Sequence, residues 1–112
     1  MTMLEIDLNE LTNGGEVHNL SGHERGVAAR AHFHLEDADA AQEPVRVVIP
    51  EHIYTLTPSF FQGMFAASVH ASGNDRASFF SRYKFAAAPV VLQQIERGIA
   101  AVRTRRGDIL SD

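Results

Sequence analysis

Residues 45 to 65 read VRVVIPEHIYTLTPSFFQGMF. Val45 to Ile49 are apolar and β-branched except at Arg46, which predicts a short central strand covered by helices. Pro50 to Leu56 is then a connection, and Thr57-Pro58 opens a helix. Threonine is a good N-cap acceptor, and proline suits the first helical residue because an N–H there would lack an intrahelical partner anyway. The helix predicted over 58–71 carries Phe61 and Phe65 on one face and Phe60 and Met64 on the next, a spacing that ordinarily marks core. Gly63 costs about 1 kcal/mol relative to alanine in a helix interior. Close packing of this helix on a strand or a neighbouring helix would offset that cost.

Upstream, Leu4, Ile6 and Leu8 alternate with Glu5 and Asp7, the period of a half-buried strand. Asn13-Gly14-Gly15 is a turn signal, after which residues 16–20 can return as a short second strand. Ser21-Gly22-His23-Glu24 fits a capping box, in which the Ser21 hydroxyl and the Glu24 carboxylate each satisfy a free N–H. The helix it opens carries Val27, Ala31 and Leu35 at four-residue spacing with Ala28 beside them, and places Arg25, Arg30 and Glu36 on the wetter sides. Asp37 to Pro44 turns polar and alanine-rich, and Pro44 stops the helix.

Downstream, Asn74-Asp75 marks a turn. In Ala77 to Phe85, Phe79, Ser81 and Tyr83 alternate with Phe80, Arg82 and Lys84, which favours a strand. Pro89 suits the first turn of a final helix along which Val91, Ile95, Ile99 and Val102 recur, with Leu92 adjacent. Arg103, Arg105 and Arg106 suit the negative pole of that helix. The order of strands and helices predicts an α/β fold, a small mixed and partly parallel sheet of about four to five strands with about three helices packed on it. One domain over residues 1–106 and a frayed tail over 107–112 complete the expected organisation.

The chain has 112 residues and a formal charge of −4, a size for one domain and a balance that argues against nucleic acid as partner. It has no cysteine, which excludes disulfides, a thiol nucleophile and cysteine-ligated metals. No apolar run approaches bilayer-spanning length, and MTMLEIDLNEL lacks a basic segment followed by an apolar one, so a cytoplasmic protein without a membrane partner is expected. The sequence contains no G-x-S-x-G elbow, phosphate loop or dinucleotide fingerprint, and no cofactor is expected. His32 with Glu36, and His18 with His23, match no familiar ligand spacing, so no metal site is expected. Arg97, Arg103, Arg105 and Arg106 read as a solvated basic helix end.

An aliphatic strand ending in Val47-Val48-Ile49, a loop, and then T-P-S-F-F-x-G-M-F is similar to the STAS-like family of small bacterial domains of unassigned function. That family is related to the STAS domains of anti-sigma-factor antagonists. The upstream run LSGHERGVAAR, with Ser21, Gly22, Gly26 and Arg30, looks like the family's entry into its first helix. The likeness covers Leu20 to Val102. Two departures stand out: Pro50 replaces the acidic residue that often ends the strand, and Thr57-Pro58 replaces the Asp-Ser that precedes the key serine of regulatory STAS domains.

The resemblance implies a STAS-like fold and a non-enzymatic regulatory protein–protein interaction domain in bacterial signalling. Its partner would be a kinase-like ATPase of the anti-sigma or histidine-kinase-like type, and its phosphorylatable serine would be Ser59. The residues themselves add that a phosphate at a helix start, with about −2 charge, faces free N–H groups and the positive end of the helix dipole. The candidate partner surface comprises Tyr54, Thr57, Pro58, Ser59 and Phe60. One alternative is a small enzyme or ligand-binding domain with a polar pocket at the strand ends, lined by His52, Tyr54, Thr57 and Ser59. Another is a homodimeric scaffold joined through an exposed Phe/Met stripe.

Overall fold

The structure, a computed structural model, describes residues 3–12 and 14–111, with side chains as far as Arg103. In chain order it contains β1 (Leu4–Asp7), a single 3-10 turn (Leu8–Leu11), β2 (Asn19–Leu20), α1 (His23–His32) and α2 (Leu35–Ala40). There follow β3 (Val45–Val48), β4 (Thr55–Leu56), α3 (Pro58–Ala71), α4 (Arg76–Arg82), β5 (Tyr83–Ala86) and α5 (Pro89–Ser111). The fold is thus mixed α/β as expected, with five helices rather than three among the described residues. The expected tail at 107–112 has no described side chains; the backbone of α5 extends to Ser111.

Every ladder is parallel. β3 is central, in the order β1-β3-β5, with Ile6 beside Val47 and Val47 beside Phe85. β2 does not return along β1 as a hairpin; it pairs in parallel with β4, Leu20 beside Leu56, as a separate two-stranded ribbon. The helices cover one face of the main sheet. Ile6, Val45, Val47 and Tyr83 are buried on that face, while Glu5, Asp7, Arg46 and Lys84 on the other are exposed. Parallel sheets are usually covered on both faces and read as continuous apolar runs. This one is covered on one, so its strands alternate, and the arginine inside VRVV is the sequence mark of the bare side.

α3 lies at the centre of the helical layer. Phe60, Phe61, Met64, Phe65 and Val69 are all buried, so neither aromatic stripe is exposed and the surface needed for a Phe/Met-mediated homodimer is absent. The Phe65 ring meets Phe61, Phe79, Tyr83 and Phe85 at centroid distances of 5.1 to 6.2 Å, which ties α3 to α4 and β5. On one flank α5 packs Val91, Ile95, Ile99 and Val102 inward as their spacing predicts, whereas Leu92 stays exposed. On the other flank α1 crosses α3 backbone against backbone. A Cβ at Gly63 would lie 2.1 Å from the His23 carbonyl oxygen, and one at Gly26 would lie 2.2 Å from that of Phe60. The expected reason for Gly63, close packing on a neighbour, is therefore met by a second glycine.

Gly26 also fixes which side of α1 faces inward. Gly26, Ala29 and Phe33 are buried and Arg30 is half-buried, while Val27 is 47% exposed and Ala31 is exposed, so the Val27–Ala31–Leu35 face is not the core face. The helix does not run through Leu35 either. His34 takes a left-handed conformation with φ of 56°, and Leu35 reaches the core from α2. The capping box at Ser21 does not form. The N-cap is Gly22 at φ 93°, a conformation that favours glycine, and no side chain caps the turn.

The alternation in Ala77 to Phe85 is only half strand. Asp75 caps α4, accepting from the Ser78 amide at 3.0 Å and the Ser78 hydroxyl at 2.8 Å, so residues 76–82 are helical and the strand begins at Tyr83. Phe79 and Tyr83, four residues apart, stack at 4.8 Å across that junction. An apolar pair at that spacing satisfies a helix as well as it does a strand.

Candidate functional site

α3 begins as its sequence predicts. Thr57 is extended at φ −74°, its Oγ1 accepts from the Phe60 amide at 3.2 Å, and Pro58 is the first helical residue. The Phe61 amide closes the first turn onto the Thr57 carbonyl at 3.0 Å. Pro58 has no N–H, so the Ser59 amide is the donor of this turn left without an acceptor among the described residues. Ser59 is exposed, and its Oγ lies 3.2 Å from Thr57 Oγ1.

The other candidate surface residues divide. Pro58 is exposed and Thr57 half-buried at the rim. Tyr54 is 61% exposed and stacks on His18 with ring centroids 5.3 Å apart and planes 10° apart. Its amide donates to the His18 carbonyl at 2.8 Å, so both backbone and ring fix its position beside the β2–β4 ribbon. Phe60 is 1% exposed and belongs to the core, so it offers no area to a partner. Of the residues expected to line a polar pocket, Tyr54 and Ser59 turn to different partners, and His52 Nε2 is buried without a hydrogen-bond partner among the described residues. His18 Nδ1 donates to the His52 carbonyl at 2.8 Å, Tyr54 turns to His18, and Ser59 to Thr57. The strand order runs β1-β3-β5 in sequence, without the reversal that opens a ligand crevice in doubly wound sheets.

A buried polar cluster escaped sequence reasoning. Asp39 on α2 is 8% exposed and accepts four hydrogen bonds. Its Oδ2 takes Arg30 Nη2 at 2.7 Å and Ser68 Oγ at 2.6 Å; its Oδ1 takes Arg82 Nη2 at 2.5 Å and the Tyr83 hydroxyl at 2.6 Å. Arg30 also donates to the Met64 carbonyl at 3.1 Å and to Ser68 Oγ at 2.8 Å, and Arg82 to the Glu43 carbonyl at 3.0 Å. Burial pushes the Asp39 carboxyl up, but the hydrogen bonds from Ser68, Tyr83, Arg82 and Arg30 together outweigh it and hold the group below the ordinary carboxylate range. Burial, aided by the adjacent carboxylate, pushes the Tyr83 hydroxyl up to about 12, so it stays protonated and donates.

With its oxygens saturated and its serine buried, this cluster works as a clamp rather than a reactive centre. It joins α1, α2, α3, α4 and β5 through one carboxylate. Arg30 was expected on a wet side of α1, and Asp39 lay in a stretch that reads as a polar linker. The signal that could have found it is Ser68, the polar residue on the same face of α3 as Phe61 and Phe65. A hydroxyl on a buried face requires a buried partner.

The remaining polar candidates stay apart. His32 pairs with Glu10 at 3.0 Å rather than with Glu36, and among the described residues no group of three or more His, Asp or Glu is placed to hold a metal ion. Arg97 and Arg103 are exposed on α5, while the side chains of Arg105 and Arg106 lie outside the described residues. Among the described residues no helix is long and apolar enough to cross a membrane. Comparison with protein-family models, with curated proteins and with solved structures returned no match.

Proposed function

We propose that this chain is a non-enzymatic, STAS-like protein–protein interaction domain whose partner surface surrounds the first turn of α3 and whose switch is Ser59. The observation that carries the reading is the setting of that serine. Its hydroxyl is exposed beside an amide with no acceptor among the described residues, at the solvent-facing start of a helix whose aromatic stripes are otherwise buried. Tyr54, four residues before Pro58, and Pro58 itself both expose apolar area. A phosphate on Ser59 adds about −2 charge where the domain itself accommodates it, near a free N–H and the positive helix end. A partner packed dry on the rim would have to desolvate that charge, which releases it. The likeness of the SFF-x-G-M-F segment to STAS-like domains supports a kinase-like ATPase as the partner class.

The test is affinity capture from the native host with wild type and Ser59→Asp, read by mass spectrometry. The expected result is an ATPase-like protein held by wild type and lost by Ser59→Asp, with phosphate found on Ser59 of the endogenous chain. Identical partners on both forms, with no phosphate on Ser59, would reduce that residue to helix packaging and overturn the reading.

A further inference from the structure

A groove of about 440 Å³ lies between α1 and the segment linking β1 to β2, against the first turn of α3. Its apolar lining is Leu11, Val17, Leu20, Ala28, Ala29 and Phe60. Ala28 and Ala29 are consecutive small residues, and the groove occupies the space that longer side chains on α1 would fill. The mouth is polar: Glu10, His32 and Arg25 line it, and Glu10 and His32 meet at 3.0 Å.

Arg25 is the informative residue. Arg30, Arg46, Arg76 and Arg82 each hold a carboxylate; Arg25, Arg97 and Arg103 hold none among the described residues, and of these three Arg25 is the one that lines the groove. Yet acids outnumber bases in the chain, 14 to 10. The Glu10 carboxylate at the same mouth is engaged by His32. An apolar recess with an unmatched guanidinium at its rim is complementary to a ligand with an apolar body and one negative charge. A dianion fits less well, because a single exposed guanidinium meets it and Glu10 stands nearby. The volume sits toward the small end of the roughly 300–1,000 Å³ typical of ligand sites, which suits a ring or branched alkyl body rather than a nucleotide.

The geometry points to a binding site for a small amphipathic carboxylate, its apolar body on Leu11, Val17 and Ala28 and its carboxylate on Arg25. The site does not involve Ser59 and needs no partner protein, so it and the interaction reading can fail separately.

The test titrates the isotope-labelled full chain with phenylacetate, phenylethanol and phenethylamine, which share an aromatic body and differ in charge. Phenylacetate is expected to shift the amides of Leu11, Val17, Leu20 and Ala28 saturably, with a Kd on the order of 1 mM. It should bind about fivefold more tightly than the alcohol or the amine, the contribution of one exposed ion pair. Arg25→Gln, an exposed change that leaves the core intact, should remove that preference, and Ala28→Leu should fill the groove and abolish the shifts. Equal response to the three probes, shifts lying elsewhere, no saturable shift, or an unchanged preference in Arg25→Gln would each overturn the assignment.

Discussion

At Ser59 the fold leaves an amide without an acceptor among the described residues and an exposed hydroxyl, at the positive end of a helix of 14 residues. A carboxylate placed there interacts favourably with the dipole and the free N–H, typically by 0.3–1 kcal/mol at low ionic strength, and the effect is screened by salt. Ser59→Asp is therefore expected to leave the domain as stable as wild type or to raise its unfolding free energy by about 0.5 kcal/mol. The gain should shrink as salt is added. Urea unfolding at low and high salt checks both points. The outcome also decides how the capture experiment reads: a stable Ser59→Asp domain that loses its partner has lost a surface, whereas a destabilised one has lost a fold. Thr57 makes the first outcome the expected one, because its hydroxyl caps the Phe60 amide independently of residue 59.

Between elements, the closest contact is the α1–α3 crossing at Gly26 and Gly63. Alanine at either position gains about 1 kcal/mol of helix propensity but places a Cβ 2.1 or 2.2 Å from a backbone carbonyl oxygen that cannot rotate away. The helices must move apart, opening the packing around Phe60 and Met64. Gly63→Ala is expected to cost about 2 kcal/mol net, and Gly26→Ala a similar amount. Because one separation relieves both clashes, the double variant should cost clearly less than the sum of the two. Additive losses in a urea series would mean that the glycines are required separately. This crossing also explains where sequence reading succeeded and where it failed. α3 was legible from Thr57-Pro58 to Ala71 because its start signal and its aromatic spacing are local. The inward face of α1 was not, because the residue that sets it, Gly26, has no side chain and adds nothing to a hydrophobic pattern. α4 was obscured for another reason: residues 76–85 change from helix to strand at Tyr83, and the Phe79–Tyr83 pair fits both periods. At the candidate site, Ser59, Thr57 and Pro58 stand where the helix-start signals put them. Phe60 is core because α3 is packed on both flanks, a fact of assembly that no local pattern carries.

For the whole molecule the Asp39 clamp is expected to shape how stability depends on pH, since Arg30, Ser68, Arg82 and Tyr83 bring four other elements to one carboxylate. In the fold the Asp39 carboxyl is held below its ordinary 3.8. The folded state therefore binds its proton less readily than the unfolded chain, and the resulting stability is present above about pH 4 and lost as pH falls through 3.8 toward the folded value. Tyr83 works in the opposite sense. Its hydroxyl is raised from 10.0 to about 12, so its stabilising contribution is present below pH 10 and lost as pH rises from 10 to 12. Urea midpoints measured from acid to alkaline pH should trace a plateau with both limbs. In Asp39→Asn two half-buried arginines lose their charge partner, so the plateau should drop by about 3 kcal/mol and the acid limb flatten. In Tyr83→Phe a hydrogen bond to an ionised carboxylate goes, so the plateau should drop by about 2 kcal/mol and the alkaline limb flatten while the acid limb persists. Curves for the three proteins that run parallel at both limbs would show that acid and base unfold the domain through other groups. A selective loss of one limb in each variant would locate the cooperative link between the helical layer and β5 at Asp39 and Tyr83.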